Sequence, residues 1–172
     1  MRMPFISRLL FTLAGIGLSV GAHLADMNSS HIFDDRWPPH AKFHTGQTLS
    51  MSLFLPLCAI FFAWRKTTDQ RLAVLAALGF SAAYWVTQAT AIIYPGTAFY
   101  DPEFITAHSF TFGLPGQAYF EIGFLSVIAL ASWLALRKSA RWSIEELPCA
   151  AARTLFGLQA ICTGGSPSAT FT

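Results

Sequence analysis

Four apolar segments, each about as long as a membrane is thick, dominate this 172-residue chain. An α-helix rises 1.5 Å per residue, so about 20 apolar residues cross a hydrocarbon core of about 30 Å. Charged residues make up only 12% of the chain, whereas a soluble domain has about 25%. The sequence therefore predicts an all-α integral membrane four-helix bundle, with spans at about residues 4–25, 39–64, 72–93 and 117–136.

The first segment also has the features of a secretory signal peptide. Arg2 and Arg8 could form its charged region, and Val20-Gly21-Ala22 resembles a small-residue cleavage site. We favour a retained helix, because the apolar run is longer than a usual signal core and four spans close into a bundle better than three. Residues 1–141 then form one transmembrane domain, and residues 142–172 are expected to be a disordered tail, since its end is small, polar and rich in turn formers.

The eleven Lys and Arg residues predict the orientation. The segments on one side of the spans hold nine of them: Arg2, Arg8, Arg65, Lys66, Arg71, Arg137, Lys138, Arg141 and Arg153. Only Arg36 and Lys42 fall on the other side. By the positive-inside rule, both termini are expected to be cytosolic and both long loops, residues 26–47 and 94–116, to be lumenal. The expected location is the endoplasmic reticulum membrane.

Ionisable residues that are not simple topology charges converge on the side of the two long loops. His40 and His44 lie one helical turn apart behind Pro38 and Pro39, and proline is favoured in the first turn of a helix. Glu121 falls in the fourth span, where a carboxylate is costly unless it faces the bundle interior or water. A carboxyl and an imidazole can act as acid and base at one pH. We predict His40, His44 and Glu121 as catalytic residues.

The other polar residues at this mouth are expected to position the substrate: Gln47, Gln88, His108 and Gln117. His23, Asp26 and Tyr84 are expected at the same level of the spans. The predicted reaction is isomerisation or cyclisation of a lipophilic small molecule that enters from the lipid. An alternative is that these groups only join the helices by hydrogen bonds, in a non-catalytic membrane protein that binds a lipid or a partner.

A metal site is a further alternative. Two histidines one turn apart can share a metal ion, and His108, His31 or His23 could be a third ligand to His40 and His44. The zinc-protease helix also carries a glutamate after its first histidine, where this chain has Ala41. No other cofactor is predicted. A net charge of +2 without a basic run argues against nucleic acid as a partner, and the oligomeric state stays open.

The first long loop contains a compact charged group, Asp34-Asp35-Arg36, followed by Trp37. Tryptophan is enriched at the level of lipid headgroups. We interpret the segment as an interfacial anchor in which Arg36 pairs with its neighbouring aspartates.

A specific core motif, Trp37-Pro38-Pro39-His40-Ala41-Lys42-Phe43-His44, is followed at a distance by Asp101-Pro102-Glu103 and by Gly113-x-Pro115-x-Gln117-x-x-x-Glu121. With these motifs, Leu10 to Arg137 resemble a family of small four-span membrane proteins, many of them fungal, that is classed as a domain of unknown function. The resemblance implies the topology and the importance of the core motif. Some members are labelled acetyltransferases, but this chain has no coenzyme A phosphate cradle. Relatives often occur beside fungal secondary-metabolite genes, which implies by association a tailoring role.

Overall fold

The computed structural model describes residues 2–145, without the side chains of residues 138–145. Its long helices are α1 (Phe5–Asp26), α2 (Pro39–Trp64), α3 (Gln70–Ala91) and α4 (Gly116–Glu145). Each is long and apolar enough to cross a membrane, α4 over Gly116–Arg137. The predicted four-helix membrane fold is confirmed. The first four residues of the predicted tail, 142–145, continue α4, and residues 146–172 lie outside the described part of the chain.

The helices run up and down around a square. Each helix packs against the next one in sequence, and α4 closes the bundle by packing against α1. As a result α2 and α4 lie diagonally across the bundle from each other. Both long connections, residues 27–38 and 92–115, lie at the same end. We call this the loop end of the bundle.

Local sequence explains where the helices begin and end. Pro38 is the N-cap of α2 and Pro39 its first residue, a position where the missing proline N–H has no helical partner to lose. Asp69 caps α3 by accepting a hydrogen bond of 2.8 Å from the backbone N–H of Leu72. At the end of α1 the Asn28 amide donates to the Leu24 and Ala25 carbonyls, which lack donors in the last helical turn.

The core is a narrow seam of small and medium side chains. Phe11, Leu18, Val74 and Ile128 are almost fully buried there, while the outer faces of the helices carry exposed phenylalanine, leucine and isoleucine. In water such a surface would be unfavourable, whereas in a bilayer it contacts lipid chains. Gly15 of α1 permits a close helix crossing, since an added Cβ would lie 2.9 Å from the Pro56 Cβ.

The second long loop folds back over the start of α4. It contains a 3₁₀ helix (Pro102–Phe104) and a small antiparallel hairpin of β1 (Phe110–Thr111) and β2 (Leu114–Pro115). The hairpin tip has positive φ at both Phe112 and Gly113. Tyr119 of α4 donates a hydrogen bond of 2.6 Å to the Thr111 carbonyl, which holds the hairpin against the mouth of the bundle.

Candidate functional site

Glu121 is the buried carboxyl of the bundle interior. It lies in the second turn of α4 near the loop end, and the residue is only 8% exposed. Its Oε1 atom has no hydrogen-bond partner. Most buried polar groups in proteins are hydrogen-bonded, so an unpartnered carboxyl oxygen inside a membrane span needs a reason.

Five buried polar atoms of α3, the neighbour of α4, lack hydrogen-bond partners, and three of them belong to Gln70 and Ser81. The two nearest the loop end are the indole Nε1 of Trp85 and the amide Oε1 of Gln88, which lie one turn apart on one helix face. The Trp85 ring stacks on Phe124 with a centroid distance of 4.5 Å and an interplanar angle of 10°. Because Phe124 lies three residues after Glu121 on α4, this stack sets Trp85 beside the turn that carries the carboxyl. We call Trp85, Gln88 and Glu121 the interior polar cluster.

A carboxylate and a histidine pair at the end of α1. The Nε2 atom of His31 lies 3.8 Å from Oδ1 of Asp26. Ser30 donates its hydroxyl proton to Asn28, so its oxygen is free to accept the Nδ1–H of His31 at 2.8 Å. This assigns a proton to Nδ1 and leaves the Nε2 lone pair on the side of Asp26, at a distance too long for a direct hydrogen bond. The two groups therefore form a carboxylate–imidazole pair at the mouth of the bundle.

Two other side chains accompany this pair. His23 and Tyr84 both interact electrostatically with Asp26, and the Tyr84 ring packs edge-on against Trp85 at 5.9 Å. Tyr84 thus contacts the interior polar cluster at Trp85 and lies within electrostatic range of Asp26. The Nδ1 atom of His23 is 2.8 Å from the Ser19 carbonyl, an arrangement in which Nδ1–H donates and Nε2 keeps its lone pair.

His40 and His44 form a second pair, on the outer face of α2. Their Nε2 atoms are 3.1 Å apart, and the Nδ1 atom of His44 lies 3.2 Å from the Gln47 Oε1 atom. All three side chains are exposed. Their spacing predicted that these residues share one helix face, and in the structure they do. That face points away from the core.

The predicted site residues thus fall into separate groups. His40, His44 and Gln47 lie on α2, across the bundle from Glu121, and no hydrogen bond or ion pair among residues 2–137 joins them to it. His108 is exposed in the second loop, and Gln117 is half-buried one turn before Glu121. Among the described side chains, no group of three His, Cys, Asp or Glu residues could hold a metal ion together. The joint catalytic role of the histidines and Glu121 stays a prediction.

Arg36 ties the two long loops together. It makes two side-chain hydrogen bonds to Asp34, at 3.0 and 2.6 Å, and a further one to Glu103 of the 3₁₀ helix. The side-chain hydrogen bonds from Arg36 hold the pKa of Asp34 at about 2, below its ordinary value of 3.8. The pKa of Glu103 is lowered by a backbone hydrogen bond and by Arg36. The sequence pointed to the pairing with Asp34; the long-range tie to Glu103 is new.

Sequence reasoning missed Trp85 and did not single out the Asp26–His31 pair. The signal for Trp85 is its spacing of three residues from Gln88, which gives both a common helix face. For Asp26 and His31 no local pattern exists, since the loop after α1 must turn back before the imidazole reaches the carboxylate.

A protein-family model matches residues 10–134 of the chain, and it describes a family of unknown function (DUF6640). The match covers most of α1, all of α2 and α3, both loops and most of the α4 span, and it contains every residue of the groups above. It agrees closely with the range over which the motifs indicated a resemblance. No curated protein and no solved structure matches the chain.

Proposed function

Because this chain belongs to the DUF6640 family, whose function is unknown, we propose its function from its own residues. It is an integral membrane enzyme that performs acid–base chemistry, of the isomerisation or cyclisation type, on a lipophilic small molecule. Glu121 is its central reacting group. The Asp26–His31 pair is the second site of proton transfer, and Trp85 and Gln88 bind polar atoms of the substrate.

The single observation that supports this proposal most is the interior polar cluster. A donor, the Trp85 Nε1–H, and two acceptors, the Gln88 and Glu121 oxygens, are buried without partners on adjacent helices. Leaving such a group unpaired costs about 1–3 kcal/mol. Groups that only joined the helices would bond to one another. A bound molecule with its own donors and acceptors would satisfy all three.

The chemistry needs no other reactant. One protein group takes a proton from a carbon or oxygen of the substrate, the released electron pair shifts along the molecule, and the other group returns a proton to a second atom. Substrate and product then have the same composition. Glu121 and the Asp26–His31 pair suit the two transfers because Glu121 and Asp26 lie on the adjacent helices α4 and α1, and the Oε1 atom of Glu121 has no hydrogen-bond partner.

We also propose how the protein is oriented in the membrane and in which membrane it lies. The distribution of Lys and Arg supports a lumenal loop end with cytosolic termini, so the substrate enters from the lumenal leaflet of the endoplasmic reticulum. The resemblance to fungal proteins encoded beside secondary-metabolite genes supports a tailoring step in the biosynthesis of a lipophilic product. A fluorescent fusion with protease protection of each terminus tests both points.

The proposed activity is tested by comparing Glu121→Gln with the wild type. Each is expressed in a host that is fed lipophilic extracts, and the extracts are searched by chromatography and mass spectrometry for a compound converted into an isomer of equal mass. The expected result is conversion by the wild type and by the matched control Asp35→Asn, an exposed carboxylate, with at least a hundredfold loss in Glu121→Gln at equal expression. Equal conversion by Glu121→Gln would contradict the role assigned to Glu121, whereas a wild type that converts no more than the host without the protein would favour the non-catalytic alternative, a protein that binds a lipid or partner.

A second pair of variants identifies the other proton-transfer group. Asp26→Asn combined with His31→Ala is compared with His40→Ala combined with His44→Ala. The proposal expects the first combination to lose conversion and the second to retain most of it, because the α2 pair is exposed and lies across the bundle from Glu121. The reverse order would return the role to His40 and His44.

A further inference from the structure

We propose that His40 and His44 form a chelating site for a borderline divalent transition-metal ion such as Zn²⁺, on the outer face of α2 at the loop end. This site is separate from the interior polar cluster. It has two protein ligands, and water or a bound molecule supplies the others.

The distance between the two ring nitrogens fits a shared metal ion. Two imidazole nitrogens at 2.0–2.1 Å from a tetrahedral zinc lie about 3.3 Å apart, and the His40 and His44 Nε2 atoms are 3.1 Å apart. The rings cross at 80° with centroids 4.6 Å apart, so they meet at their nitrogen edges and do not stack. To hold a metal ion between them, the two nitrogens need to move apart by only about 0.2 Å.

The surrounding residues hold the rings in this arrangement. Gln47 Oε1 lies 3.2 Å from His44 Nδ1, so Nδ1 carries the proton and Nε2 offers its lone pair toward His40. This is the outer hydrogen bond that metal-binding histidines usually have. Phe43 stacks on His40 with an interplanar angle of 5° and meets His44 edge-on at 5.5 Å. One aromatic ring therefore lies next to both imidazoles.

The site is open as well as organised. Both histidines are exposed, and no third His, Cys, Asp or Glu joins them within the described residues. Structural zinc sites are closed by four protein ligands, while sites that bind exchangeable ligands keep positions free. Two imidazoles on one helix turn leave two positions for water or for an oxygen or nitrogen of a molecule arriving at the loop end.

The test is isothermal titration of untagged, detergent-solubilised full-length protein with ZnCl₂ at pH 7.5, supported by the visible spectrum with Co²⁺. We expect one Zn²⁺ per chain. The variants His40→Ala and His44→Ala should each weaken binding at least tenfold. Loss of the outer hydrogen bond in Gln47→Ala should weaken binding about tenfold, whereas Gln47→Glu, which keeps an acceptor for Nδ1–H, should restore it. His108→Ala, a histidine in the second loop, serves as the matched control and should bind like the wild type.

The experiment measures metal binding, so its result does not depend on the proposed enzymatic activity. The absence of a Zn²⁺ heat signal in the wild type would overturn the proposal, and so would binding that persists in the His40→Ala, His44→Ala double variant. Circular dichroism verifies that each variant keeps its helices. Equal affinity of Gln47→Ala and wild type would contradict the assigned role of Gln47.

Discussion

Ser19 donates a hydrogen bond of 2.8 Å to the backbone carbonyl of Ser52. This is the carbonyl that Pro56 leaves without its helical donor, because proline has no N–H to offer to the residue four positions before it. In a membrane no water can replace that donor. The hydroxyl of α1 therefore satisfies the defect that Pro56 creates in α2, next to the close crossing at Gly15.

Replacing Ser19→Ala should lower the free energy of unfolding by about 1 kcal/mol, the scale of hydrogen bonds between membrane helices. Adding Pro56→Ala should recover part of this loss, because it returns a backbone donor to the Ser52 carbonyl. Ser50→Ala is the matched control, since the Ser50 hydroxyl bonds only within its own helix, to Gly46 at 2.8 Å. Unfolding in a detergent and denaturant series measures all four proteins. Equal losses for Ser19→Ala and Ser50→Ala would contradict the interhelical role.

Gly17 provides the space in which Phe124 stacks on Trp85. A Cβ at Gly17 would lie 2.6 Å from the Phe124 Cζ, and the ring cannot turn aside without leaving Trp85. We expect Gly17→Ala to destabilise the protein by about 1–3 kcal/mol. Gly21→Ala, on the same helix with nothing within 4 Å of its added Cβ, should be neutral or slightly stabilising. Thermal unfolding in detergent compares the two, and a similar change in both would show that Phe124 does not depend on Gly17.

The pairing of Asp34 with Arg36 should make stability depend on acid pH. The pKa of Asp34 is about 2 in the folded protein, below its ordinary 3.8, so the folded state favours the carboxylate. The contribution of the Asp34–Arg36 pair to the free energy of unfolding is complete above pH 3.8 and is lost as the pH falls toward 2. We therefore expect Asp34→Asn to be less stable than the wild type at pH 5, with the difference shrinking as the pH approaches 2. Midpoints of thermal unfolding along the pH series measure it.

The matched control for this series is Asp35→Asn, the exposed neighbouring carboxylate. It should follow the wild-type curve at every pH. If the unfolding midpoints of Asp34→Asn and the wild type differ by the same amount from pH 5 to pH 2, the assigned ion pair is contradicted.

The sequence predicts the helices well, because their cause is local. The apolar runs are long enough to span a membrane, and Pro38-Pro39 and Asp69 determine where α2 and α3 begin. The rotation of each helix about its axis is harder to predict. A membrane helix is apolar on all sides, so hydrophobicity does not mark the face that is buried. His40 and His44 could be assigned to one common face, but not to the outer one.

The candidate site likewise has features that the sequence predicts and features that it does not. Burial of Glu121 follows from the cost of a carboxyl in lipid, and the sequence indicates it. The contacts of Asp26 with His31 and of Arg36 with Glu103 depend on how two loops fold over the bundle. Such contacts join residues that are distant along the chain or separated by a turn, and no periodic pattern encodes them.

We propose that Glu121 is a carboxyl that an apolar molecule can reach inside the membrane. Reaction with dicyclohexylcarbodiimide, an apolar reagent that adds to carboxylic acids, tests it most directly when peptides are mapped by mass spectrometry. We predict an adduct on the peptide that contains Glu121, its absence in Glu121→Gln, and labelling of Asp35 only by a water-soluble carbodiimide. An unmodified Glu121, under conditions in which the water-soluble reagent labels Asp35, would contradict the account.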